Sequence, residues 1–80
     1  MDDSTVQDRI EALVAEEHEL QRRSEDGEPH PEVHERLKSV EVELDRCWDL
    51  LRQRRARRAA GLSPDDATVR DADTVEHYRQ

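Results

Sequence analysis

Residues 33–61, "VHERLKSVEVELDRCWDLLRQRRARRAAG", decide the fold. Small and medium apolar side chains recur at Val33, Leu37, Val40, Leu44, Cys47 and Leu51, at intervals of 4, 3, 4, 3 and 4 residues. That alternation keeps one face of an α-helix apolar, as in a coiled-coil seam, with Trp48 on its flank. Carrying the same register past Leu51 brings Arg54 and Arg58 into the next seam positions. The seam turns from leucine to arginine without losing its period. Gly61, free to adopt a left-handed conformation, marks the stop, and Leu62 is placed to fold back on the last turn. Upstream, Pro31 suits a first helical position and Glu32 the dipole-favoured first turn. The spacing predicts a helix over about 31–60.

A second apolar face precedes it. Val6, Ile10, Leu13, Val14 and Leu20 follow helical spacing, and Ser4 with Gln7 fits a capping box, so a helix is predicted over about 4–24. "SEDGEPHP" reads as a turn, centred on 25–30, with Gly27 open to positive φ and Pro29 and Pro31 interrupting any through-helix. At the usual rise these helices measure roughly 30 Å and 45 Å. A short connection between them dictates an antiparallel hairpin over 1–61. Leu20 then faces Leu37 or Val33, Leu13 faces Val40, Ile10 faces Leu44, and Val6 reaches Cys47 and Leu51. The shorter helix gives out where the longer one turns cationic.

Eighty residues make one domain, and a chain this short buries too little surface for a comfortable core of its own. Charged residues form 42% of the chain and Phe is absent, which favours a core shared with another chain over a self-sufficient one. Val42 and Leu50 lie off the main stripe, Val14 at its edge and Trp48 on its flank, and these four define a second apolar surface. The fold class is therefore all-α, an antiparallel two-helix hairpin whose copies pair into a dimeric four-helix bundle. The alternative is a monomer in which Leu62, Val75 and Tyr78 cover that surface. Residues 62–80 form an acidic, mostly irregular tail. "SPDDA" reads there as a turn capped by Ser63 with Pro64 next, and "TVEHY" as one further helical turn.

The lone Cys47 allows no intrachain disulfide and points to a reducing, cytoplasmic setting. "MDDSTVQDR" is acidic and has no apolar run, unlike a signal peptide. No stretch approaches the ~20 apolar residues that cross a bilayer. The formal charge of −8 is unevenly spread: residues 51–60 carry five arginines and no acid, between two acidic regions. Arg52, Arg54, Arg55, Arg57 and Arg58 complement the dipole at a helix C-terminus, where Asp2, Asp3, Asp65 and Asp66 are natural neighbours. The same arginines offer a docking surface for an acidic protein partner. Nucleic-acid binding is disfavoured by the surplus of negative charge elsewhere and the lack of aromatics for stacking.

Glu17 falls inside the apolar arc of helix 1 and calls for a partner across the hairpin, Lys38 or His34. Glu17, His18 and His34 are the residues a metal-binding bundle would use. "HPEVH" departs from the H-E-x-x-H zinc pattern, and no Glu-x-x-His pair supports a di-iron site. His30 belongs to the cap of helix 2, and His77 to the tail. Cys47, at a seam position, is a small core hydrophobe. No phosphate loop, no nucleophile–base grouping and no concave pocket emerge, so no catalytic residue, cofactor or metal is assigned.

"ALVAEEHEL", "LDRCWDLLRQRRARR", "SPDDATVR" and "TVEHY" together resemble a family of small actinobacterial proteins known only as a domain of unknown function. The resemblance covers nearly the whole chain, and "CWDLLRQRRA" is its most specific segment. It implies a short, intracellular, ordered protein and supplies no activity or site residue. The reading is a non-enzymatic, self-associating helical module that presents an arginine-bearing helix end to a protein partner. The alternatives are a small regulator contacting nucleic acid or the transcription machinery through those arginines, and a metal-binding helical bundle.

Overall fold

A computed structural model describes residues 2–78, with side chains as far as Val75. Two long helices, α1 (Asp3–Arg23) and α2 (Pro31–Ala59), pack against each other, and a short helix α3 (Ala72–Tyr78) follows. Two interhelical ion pairs fix the antiparallel register: Arg9 donates to Glu43 at 2.5 Å, and Arg36 grips Glu16 at 2.5 and 2.8 Å. Seven residues forward in α1 match seven backward in α2, as two rods side by side require.

The predicted capping box at Ser4 and Gln7 is not what starts α1. Asp2 takes the cap, its Oδ1 accepting from the Thr5 amide at 2.8 Å and the Thr5 hydroxyl at 2.9 Å. A carboxylate satisfies the orphan amides as well as a serine does and also opposes the positive end of the helix dipole, so the helix begins one residue earlier. The turn closes through a 3₁₀ segment, Ser24–Asp26, and Gly27 at φ +80°. Asp26 accepts from the Glu28 amide at 3.0 Å and contacts the His30 ring at 2.9 Å, which ties the turn to the cap of α2. Pro31 is the first residue of α2. At the far end Leu62 donates its amide to Arg57 at 2.8 Å and Gly61 donates to Arg58 at 3.1 Å, with Gly61 at φ +75°. This is a Schellman stop, and it turns the chain back along α2. The Leu62 side chain stays outside, 53% exposed.

The core between the long helices holds Val6, Ile10, Leu13, Leu20, Val33, Val40, Leu44 and Leu51, with Val14, Leu37 and Cys47 partly buried against it. Leu50 belongs to this cluster as well. The tail carries the short turns expected at "SPDDA", capped by Ser63, and at "TVEHY", and it docks along α2 as a strap. A 3₁₀ turn at Pro64–Asp66 leads into an extended run and then α3, which Asp71 caps through the Thr74 amide at 2.8 Å. Val75 in α3 is fully buried. The Tyr78 and His77 side chains lie outside the described residues.

Leu13 is 1% exposed at the middle of the helix pair. Leu13→Ala should lower unfolding stability by about 2–5 kcal/mol, the range for deleting a buried leucine side chain. Urea unfolding followed by circular dichroism measures it, and a loss below 1 kcal/mol, at about the level of a surface substitution, would contradict this core.

Candidate functional site

Arg54 stands where the leucine seam ends, and its side chain is only 6% exposed. A guanidinium keeps its charge in any protein environment, so it must find acceptors when buried. Its Nε donates to Asp3 Oδ1 at 2.5 Å, and Nη1 donates to the Pro64 carbonyl at 3.1 Å and to Asp65 at 3.2 Å. Arg58 donates to both oxygens of the same Asp3, at 3.1 and 2.7 Å. Arg57 donates to the Ser63 carbonyl at 2.5 Å and to Asp66 at 3.3 Å. Three of the five candidate arginines thus tie the start of α1 and the turn after Gly61 to the end of α2. Arg52 and Arg55 remain exposed on the outside of the helix.

A second polar cluster lies one turn back on α2. Asp49 is 1% exposed, and Arg70 of the strap grips it with two bonds, at 2.9 and 2.5 Å. Gln53 donates to Asp49 at 2.8 Å and to the Thr68 carbonyl at 2.9 Å, and Arg46 donates to the Arg70 carbonyl at 3.0 Å. Burial would push the Asp49 carboxyl up, but the bonds from Arg70 and Gln53 outweigh it and hold the group below its ordinary value. Sequence reasoning missed this cluster. Its signal was the spacing of Arg46, Asp49 and Gln53, three and four apart on one side of the helix, matched to a lone arginine within the acidic stretch 65–76.

The strap corrects one expectation directly. Leu50, placed by the sequence on an outward apolar surface, is 5% exposed because this segment lies over its side of α2. Val42 is half-buried on another side, in a shallow depression among Glu35, Lys38 and Arg46. Val14, Val42, Trp48 and Leu50 therefore do not form one patch. Of these four only Trp48 is exposed, at 48%, beside a shallow groove that Glu17, Glu41, Leu44 and Asp45 complete. Glu17, expected to pair with Lys38 or His34, lines this groove instead. The interhelical pairs form on the opposite edge, at Arg9–Glu43 and Glu16–Arg36.

Among the described residues no three or more His, Cys, Asp or Glu side chains are grouped as a metal ion requires, and Glu17, His18 and His34 are not brought together. Burial pushes the Cys47 thiol up, which leaves little thiolate for nucleophilic chemistry. No helix among the described residues is long and apolar enough to cross a membrane.

The hydrogen bonds from Arg58 and then Arg54 lower the Asp3 carboxyl from an ordinary 3.8 to about 2. A depressed folded-state value means that the unfolded chain takes the proton first. The contribution of the Asp3 contacts with Arg54 and Arg58 to stability is therefore complete above pH 3.8 and is lost as pH falls towards about 2. Asp3→Asn lacks that contribution from the outset. The gap in melting temperature between parent and variant should be constant near neutrality and close across this acid window. A gap unchanged down to pH 2 would contradict the assignment.

Comparison with known proteins agrees with the resemblance seen in the sequence. Uncharacterized proteins from two strains of Mycobacterium tuberculosis and from Mycobacterium bovis are each 48% identical over 77 residues, covering 95% of this chain and 88% of theirs. No solved structure matches it. A family model matches residues 2–80, and the chain belongs to that family, described as Protein of unknown function (DUF2630).

Proposed function

We propose that the protein is a non-enzymatic helical interaction module that works in the cytoplasm by associating with itself and with a protein partner. The observation that carries this reading is Trp48. The chain's one tryptophan sits half out in solvent, midway along its longest helix, while the neighbouring sides of that helix are covered by α1 and the strap. Large aromatic side chains that stand clear of a core are the usual anchors of protein interfaces. Free Cys47 suits a reducing compartment.

The arginine-bearing end contributes less than the sequence implied. Arg54, Arg57 and Arg58 are engaged with Asp3, Asp65 and Asp66, which leaves Arg52 and Arg55 to face a partner. Nucleic acid fits this surface poorly. Glu17, Glu41 and Asp45 line the same side of the molecule, and backbone recognition needs a face where positive charge dominates.

Sedimentation equilibrium of the full chain tests the reading. A species of twice the 9.4 kDa chain mass, growing with protein concentration, is the expected result. A single 9.4 kDa species at every concentration would overturn self-association.

A further inference from the structure

We propose that the self-association surface is one stripe of α2, Glu41–Asp45–Trp48–Arg52–Arg55, and that a second copy of this chain packs on it antiparallel, with the two-fold axis beside Trp48. The proposal rests on the self-association reading above and supplies its geometry. Three sides of α2 are distinguishable. Val33, Val40, Leu44 and Leu51 face α1, and Arg46, Asp49 and Gln53 bind the strap. The third side carries residues at intervals of 4, 3, 4 and 3, the alternation that keeps side chains in line along a helix. Glu41, Trp48, Arg52 and Arg55 on it are exposed, and Asp45 is half-buried in the groove beside Trp48.

The charges on this stripe are ordered: acids towards the N-terminus, bases towards the C-terminus, and tryptophan between. A two-fold interface brings one patch against itself, so such an order is self-complementary in one direction only. Antiparallel pairing about Trp48 sets Glu41 opposite Arg55 and Trp48 against its own copy. Parallel pairing sets like charge against like at every charged level, an arrangement interfaces use to exclude wrong partners. The arginines that the sequence grouped together thus divide into two sets. Arg54, Arg57 and Arg58 hold the monomer, while Arg52 and Arg55 serve the pair.

Charge reversal with complementation tests the geometry. In E41R the introduced cation meets Arg55 of the second copy, and in R55E the introduced anion meets Glu41, so each variant alone should dimerise at least about tenfold more weakly. In an equimolar mixture both contacts pair opposite charges, and native mass spectrometry should show the mixed dimer in preference to either homodimer. W48S should weaken the parent dimer by about thirtyfold, as loss of a central aromatic anchor does. Both reversed positions are exposed, and rescue in the mixture distinguishes a lost contact from a lost fold. A parent dimer that tolerates W48S and both reversals, or variants that fail to combine, would overturn this interface and leave self-association standing. A monomeric parent would overturn both.

Discussion

A buried guanidinium at residue 54 is the constraint on which the rest of the structure depends. Two helices of unequal length leave the longer one with turns that have no apolar partner. Here the excess length is closed by polar contacts, because Arg54 reaches the first residue of α1 and the turn after Gly61 at once. The guanidinium cannot shed its charge, so its burial demands acceptors from both segments. One end of the hairpin is therefore held by the covalent turn around Gly27, and the other by Arg54 and Arg58 on Asp3.

With the open end fixed, the strap can run back along α2. Its contacts descend the helix in order, from Arg57 with Ser63, through Arg54 with Pro64 and Gln53 with Thr68, to Asp49 with Arg70. Most of these are bonds from side chains to backbone carbonyls, so they hold an extended segment that has no ladder of its own. Leu50 is buried on this side of the helix, and Val75 of α3 is buried further along the tail. A chain of 80 residues with little aromatic content thus completes its core with polar ties. Trp48 stays exposed on the side of α2 that neither α1 nor the strap covers, and the function proposed for the protein follows from it.

Much of the fold was legible because its signals are local. The 4–3 alternation from Val33 to Leu51, Pro31 at the start of α2 and Gly61 at its end are each read within a few residues, and each holds in the structure. The start of α1 was misread for an equally local reason. Both Ser4 with Gln7 and Asp2 with Thr5 fit a cap spacing, and only the helix dipole favours the carboxylate. The turns of the strap were readable, but its docking on α2 was not, for the opposite reason. Asp49 and Arg70 are 21 residues apart, and a pair of charges carries no period. Missing the strap placed Leu50 on the surface. The Trp48 stripe escaped notice because four of its five members are charged, and a search for apolar spacing passes over them.

The arginine run looked like a site and is mainly a fastening, and that distinction is the centre of this account. Hydrogen exchange in Arg54→Met tests it most directly, because the substitution keeps the bulk and removes the donors. The account predicts faster exchange in two segments far apart in sequence, at the Val6 amide in the first turn of α1 and at the Ala67 amide closing the turn after α2. Unchanged protection at both, or loss at one alone, would show that Arg54 does not join them.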